Sequence, residues 1–133
     1  MSTEIKIFVS GKWSDKKLIK EKMIYLIKLG HKITHDWTIF WTNKRNIENK
    51  EDLKEAAVLD INGVKECDIH IIIISDPDYI YRGTFTELGC SLALNKKILI
   101  YCPYEKAFCM SNPFYFHPNV IHFSDWIELI KNI

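Results

Sequence analysis

Asp68-Ile69-His70-Ile71-Ile72-Ile73-Ile74-Ser75 decides how this chain folds. Isoleucine fills five of the six positions from 69 to 74, and β-branched side chains favour an extended backbone. Apolar residues fall on both parities, so a strand here needs cover on both faces, the situation of a parallel sheet between helices. His70 is its one polar member, and a hydrogen-bonded imidazole within the sheet is the expected reason for it. N-terminally, Ile5, Ile7 and Val9, with Phe8 between, form a second apolar run that stops at the turn Ser10-Gly11. After a cap at Ser14 or Asp15, Leu18, Lys22, Tyr25 and Leu29 recur at helical spacing until Gly30. His31 to Trp37 returns to strand character. Residues 38–50 are largely polar after Ile39, Phe40 and Trp41, and are expected to form a mobile loop over a site. Glu51–Cys67 reads as a second helix, Thr84–Asn95 as a third, and Asp125–Lys131 as a last. Ile98–Cys102 and Val120–Phe123 complete the strands.

This alternation implies an α/β flavodoxin-like three-layer sandwich whose five-stranded parallel sheet has the order 2-1-3-4-5. Residues 1–133 are expected to form a single domain. Ligands of such sheets sit beyond the carboxyl ends of the strands. Ser10-Gly11-Lys12-Trp13, His35-Asp36-Trp37 and the segment from Ser75-Asp76-Pro77 to Gly83 converge there.

Composition removes several classes of function. With 47% hydrophobic and 26% charged residues, the chain is neither a disordered tail nor a fibre. Eighteen basic and seventeen acidic side chains leave a net charge of +1, and only Arg45 and Arg82 are arginines, so no field or set of guanidinium forks points to nucleic acid. No apolar run is long enough for a membrane span, and no charged-then-apolar leader opens the chain, so a cytoplasmic location is expected. Cys67, Cys90, Cys102 and Cys109 lack metal-ligand spacing and read as structural thiols in a reducing compartment. Neither a metal nor a cofactor is expected.

Two carboxylates stand out. On the second helix, Leu53, Ala57, Val64 and Cys67 make an apolar stripe, and Asp60 lies in its middle. Such a residue either meets water at a tilted helix end or aims a carboxyl into a cleft with a pKa set by burial. Glu87 lies in Arg82-Gly83-Thr84-Phe85-Thr86-Glu87-Leu88-Gly89, a glycine turn running into a helix start. Thr84 and Glu87 have the spacing of a capping box, with the helix dipole keeping Glu87 ionised. Alternatively, an ionised carboxylate at a cleft mouth suits a nucleophile at a sugar carbon, with free amides near Gly83 for an anion or sugar hydroxyls.

Asp60-x-x-Gly63-x-x-x-Cys67-Asp68, the isoleucine strand, and Gly83-Thr84-x-x-Glu87-x-Gly89-x-x-Leu92-Ala93-Leu94-x-Lys96-Lys97 resemble the nucleoside 2-deoxyribosyltransferase family, including deoxynucleoside 5′-monophosphate N-glycosidases. Ile7-Phe8-Val9-Ser10-Gly11, Gly30-His31-x-Ile33-Thr34-x-Asp36-Trp37, and His117-Pro118-Asn119-Val120 with Phe123-x-x-Trp126 fit the same pattern. The resemblance implies cleavage or transfer at the N-glycosidic bond of a 2′-deoxynucleoside or its 5′-monophosphate through a covalent Glu87–sugar intermediate. Glu87 matches the nucleophile, and Asp60 matches the carboxylate that contacts the ligand and helps handle the departing base's proton.

The resemblance puts the family's first turn on Ser10-Gly11 and its sugar- or 5′-binding loop on Gly83-Thr84. Where the family often carries a tyrosine beside the sugar, this chain has Phe8. Asp76 and Asp78 are both candidates for an acid that sometimes precedes the nucleophile. Lys12 and Arg82 are candidates to neutralise a phosphate, and Trp13, Trp37, Phe40 and Trp41 to stack on the base. A homodimer or higher homo-oligomer is implied, with residues near Met110 and Asn112 completing a neighbour's pocket. Two other readings compete: a non-catalytic nucleotide-binding sensor, and a TIR-like NAD glycohydrolase.

Overall fold

The computed structural model describes residues 4–41 and 45–133, so the middle of the expected loop, residues 42–44, lies outside the described residues. Five strands form one parallel sheet: β1 (Lys6–Ser10), β2 (Lys32–Ile33), β3 (Ile69–Ile73), β4 (Lys97–Tyr101) and β5 (Val120–Phe123), in the spatial order β2-β1-β3-β4-β5. The helices between them are α1 (Lys16–Lys28), α2 (Lys50–Glu66), α3 (Arg82–Ala93) and α4 (Trp126–Ile130). The expected order of strands is therefore the observed one.

Strand parity divides the core. Ile7 and Val9 pair with Ile69 and Ile71, and face Ile19, Met23 and Leu26 of α1 with Leu129 of α4. On the other face, Ile72, Ile98 and Ile100 pack under Leu88 of α3 with Tyr81 and Tyr115. Phe8 and Ser10 share this second face with His70 and Ile72, their register partners. The isoleucine strand is buried at every position, as cover on both faces requires.

Three expectations about local structure change. The second strand is only Lys32–Ile33 instead of His31–Trp37. Thr34 N still donates to Ile7 O, but its hydroxyl donates to Gly63 O at 2.7 Å and Asp36 accepts from the amide of Thr38, so side chains replace the ladder. The second helix buries Gly63 and Val64 toward its end while Leu53, near its start, is exposed. The third helix starts at Arg82, two residues before the expected cap. Thr84 is inside it, and Tyr81 precedes it in the left-handed region with φ 58° and ψ 49°.

Tyr81 adopts that conformation, which costs a non-glycine residue roughly 1–2 kcal/mol, while its ring is buried. Its hydroxyl accepts from the amides of Ser75 and Asp76 at 2.8 and 3.0 Å. The loop leaving β3 is thereby folded back onto the start of α3. Ser75 Oγ also donates to Asp15 at 2.7 Å, tying this loop to the start of α1. Asp15 is the residue before α1, but its carboxylate serves Ser75 and does not cap the helix.

Candidate active site

A hollow of ≈ 190 Å³ opens beyond the carboxyl end of β1. Its polar wall is Asp60 from α2 and Thr84 and Glu87 from α3; Gly11 and Gly83 form backbone edges; Trp13, Trp37 and Trp41 supply aromatic surface. A larger groove of ≈ 410 Å³ runs along Ala107, Phe108, Met110 and Phe116, with Glu105 as its one carboxylate. Paired acids beside aromatic faces are the better equipped for chemistry, so the smaller hollow is the candidate active site.

Glu87 lies at the back of it. Its Oε1 accepts from Ser10 Oγ at 2.7 Å, linking α3 to the last residue of β1. The capping-box expectation is thereby corrected: Glu87 is the sixth residue of α3, beyond the first turn, and bonds across to the sheet. The dipole does not keep it ionised either. Burial first, and then the negative charge of Asp60, push its pKa up to about 8 against the hydrogen bond from Ser10.

Asp60 is raised to about 6 by burial. Its Oδ1 lies 3.6 Å from His35 Nε2, and neither buried atom has a hydrogen-bond partner. Burial lowers His35, against the opposing pull of Asp36, so the pair faces as a neutral imidazole and a readily protonated acid. Asp36 itself bonds Lys20 and the hydroxyl of Thr38.

The first turn of α3 reaches the hollow through Gly83 and Thr84. Phe85 N is the first amide of the helix to bond back, to Tyr81 O, which leaves the amides of residues 82–84 without helical acceptors. Thr84 is buried, and a Cβ on Gly83 would meet nothing within 4 Å, so the backbone there borders open space.

Of the residues expected at the site, Gly11, Trp37, Asp60, Gly83, Thr84 and Glu87 line the hollow, and Ser10 touches it through Glu87. Trp37 is fixed by its indole N–H, which donates to Val9 O at 2.7 Å. Four others lie elsewhere. Phe8 is fully buried beneath α2, its ring edge on His70 at 5.4 Å between centroids, and reaches no ligand space. Lys12 and Asp76 pair with each other at 2.7 Å, with the Lys12 ammonium also 4.8 Å from the centre of the Tyr79 ring. The pair holds Lys12 above and Asp76 below their ordinary values. Asn112 accepts from Phe114 N and donates to Cys109 O, away from this hollow.

The sequence assigns no role to Ser91 or to the Tyr81 hydroxyl, and reads His70 as a hydrogen-bonded residue within the sheet, where His70 Nδ1 lies 2.7 Å from Ser91 Oγ. Periodicity carries no signal for Tyr81, whose place depends on a left-handed turn. The signal for Ser91 was available: it sits one helical turn after Glu87 and therefore on the same face of α3.

Comparison with known proteins bears on the family and the fold. The family model described as nucleoside 2-deoxyribosyltransferase matches residues 7–121. Among solved structures, the chain is similar to a CMP N-glycosidase, BcmB, from Clostridium botulinum, with 23% identity over 96% of each chain and a TM-score of 0.62. It is also similar to a 2-deoxyribosyltransferase from Bacillus psychrosaccharolyticus, with 22% identity over 96% of this chain and 91% of that one and a TM-score of 0.74. At these identities the two structures establish the shared fold. No curated protein matches the sequence.

Proposed function

The chain belongs to the nucleoside 2-deoxyribosyltransferase family, and from that premise we propose that it cleaves or transfers at the N-glycosidic bond of a 2′-deoxynucleoside or its 5′-monophosphate. The observation that carries the proposal is that Asp60 and Glu87, twenty-seven positions apart, line one small hollow walled by tryptophans. Glu87 in its ionised form attacks C1′. The C1′–N bond breaks, its electron pair stays on the base, and a proton from Asp60 completes the leaving group. Water or a second base then attacks C1′, the C1′–O bond to Glu87 breaks with its electron pair staying on the carboxylate, and the attacking group's proton returns to Asp60; the product is deoxyribose or a new nucleoside, carrying the 5′-phosphate when the substrate does.

The free enzyme at neutral pH holds its proton on Glu87, whereas the reactive form needs it on Asp60. Moving one proton between the two carboxyls connects the forms. The single domain, the role of Gly83 and Thr84 at the sugar or its 5′ group, and stacking by Trp37 belong to the same proposal. So does association as a homodimer or larger assembly, supported by the exposed Ile80, Phe85, Phe108, Phe114 and Phe116. A cytoplasmic location is supported by four free cysteines; no described helix is long and apolar enough to cross a membrane.

Incubation with deoxynucleosides and their 5′-monophosphates, with released base followed by chromatography, tests the reaction. Adding a second base separates transfer from hydrolysis. Glu87→Gln is expected to lower base release by at least about 10³-fold. An equally active Glu87→Gln removes Glu87 from the chemistry. The neutral state of Glu87 at pH 7 specifically favours one other reading, a nucleotide-binding sensor without turnover. Recovery of an intact bound nucleotide, with no base released up to pH 9, would decide for it.

A further inference from the structure

Behind Glu87 runs a line of buried polar side chains that bond breaking at a sugar does not itself require. Glu87 Oε1 accepts from Ser10 Oγ at 2.7 Å. Ser10 Oγ lies 2.6 Å from His70 Nε2, and His70 Nδ1 lies 2.7 Å from Ser91 Oγ. Ser10 is 1% exposed, and His70 and Ser91 are 0% exposed. The line joins β1, β3 and α3, and it returns to α3 one turn beyond the residue where it began.

Proton counting leaves this line little freedom. A hydroxyl has one proton to donate, and a neutral imidazole has one N–H. Burial pushes His70 down to about 3, so it stays neutral above pH 5. An ionised Glu87 can only accept. Ser10 then donates to it and must accept from His70 Nε2–H, so Nδ1 accepts from Ser91. A Glu87 that carries its proton on Oε1 donates to Ser10. Ser10 turns to donate to Nε2, and Nδ1–H donates to Ser91. Each arrangement satisfies every link, and they differ by reversal of the whole line.

We propose that Ser10, His70 and Ser91 form a closed relay in which the tautomer of His70 follows the protonation of Glu87, making His70 and Ser91 positioning residues for that carboxyl. The coupling rests on these hydrogen bonds and on Glu87 carrying its proton on Oε1; its meaning for turnover rests on Glu87 being the nucleophile. The relay delivers a donor to Oε1 whenever Glu87 is ionised, and so orients the attacking carboxylate without placing a charge beside it. Phe8 closes the side of the His70 ring, which keeps water from substituting for a link. The titratable groups that face Glu87 are Asp60 from α2, with His35 behind it, and His70 from β3 through Ser10. No lysine or arginine pairs with Glu87 among the described residues.

Nitrogen-15 spectroscopy of the histidine rings from pH 5 to 10, alongside carbon-13 spectroscopy of the Glu87 carboxyl, tests this on the full chain without substrate. His70 is expected to carry its proton on Nδ1 at low pH and on Nε2 at high pH, with the midpoint at which Glu87 ionises. Ser10→Ala is expected to leave Glu87 titrating and to make the His70 tautomer insensitive to pH. Glu87→Gln is expected to fix the tautomer throughout. A His70 tautomer that stays constant while Glu87 titrates overturns the relay, and so does one that still switches in Glu87→Gln. Base release distinguishes this from failure of the proposed reaction: switching without base release sinks the reaction alone, and base release without switching sinks the relay alone.

Discussion

At Asp60 and Glu87, two acids share one hollow and neither is free to ionise as it would in water. Burial raises both, and the charge on Asp60 raises Glu87 further. Replacing Asp60 by asparagine removes that charge with little change of shape. Asp60→Asn is expected to move the ionisation of Glu87 to lower pH, read from the carbon-13 shift of its carboxyl. Base release should fall by about 10²–10⁴-fold, the usual contribution of a positioned proton donor. A Glu87 midpoint that stays in place would show that the two carboxyls do not feel each other. Helical periodicity located Asp60, because a charge within an apolar stripe is conspicuous. The same periodicity misjudged Leu53, which is exposed near the start of α2. A repeat of 3.6 residues says which face a residue is on, and only the neighbouring elements decide whether that face is covered.

The position of Asp60 is set by how closely α2 approaches β1. Gly63 lies one turn after Asp60, and a Cβ there would stand 2.7 and 2.9 Å from the Phe8 ring and 3.0 Å from His35 Cβ. Phe8 is fully buried and has no room to yield. Gly63→Ala is therefore expected to destabilise the protein by about 1–3 kcal/mol, the usual result of overpacking. The shift in urea midpoint measures it, and base release should drop with it as Asp60 is pushed outward. Gly89→Ala is the contrast, since a Cβ on this α3 glycine meets nothing within 4 Å and is expected to add roughly 0.5–1 kcal/mol. Equal gains at the two glycines would mean that helix propensity, and not the contact of α2 with Phe8, governs Gly63.

Elements of this kind were largely legible in the sequence. The isoleucine block, the order of strands and most helices follow from apolar period and β-branching. Boundaries that depend on a side chain bonding to a distant backbone were not. The second strand gives way where Thr34 turns to Gly63 O, and α3 starts early because Tyr81 accepts a left-handed turn to bind two amides. Sequence placed Glu87 beside a ligand space, but it offered two partners for the carboxyl, and the one it named from local spacing was its own helix. Phe8 has no hydroxyl to offer a carboxylate, and Glu87 accepts from Ser10, two residues on along the same face of β1.

For the molecule as a whole, a buried neutral acid makes stability depend on pH. Glu87 has a pKa of about 8 in the folded protein against 4.5 for the free side chain. Between those values the native state binds a proton that the unfolded state does not, so stability falls as pH rises. Asp60 has the same sign, but its window ends near pH 6. His70 has the opposite sign: with a folded pKa of about 3 against 6.5, it withholds stability only as pH falls below 6.5. The interval from pH 6.5 to 8 therefore isolates Glu87 among these three groups. Across it the free energy of unfolding should decrease by up to about 1.4 kcal/mol per pH unit, measured by urea titration at fixed ionic strength. Glu87→Gln, with no proton to lose, should be flat over the same interval. A nucleotide that binds the ionised form restores part of the lost stability above pH 7, in proportion to its affinity. If the wild-type protein is equally stable at pH 6.5 and 8, Glu87 is already ionised in the resting fold, and the proton exchange between the two carboxyls is not a step the proposed reaction has to include.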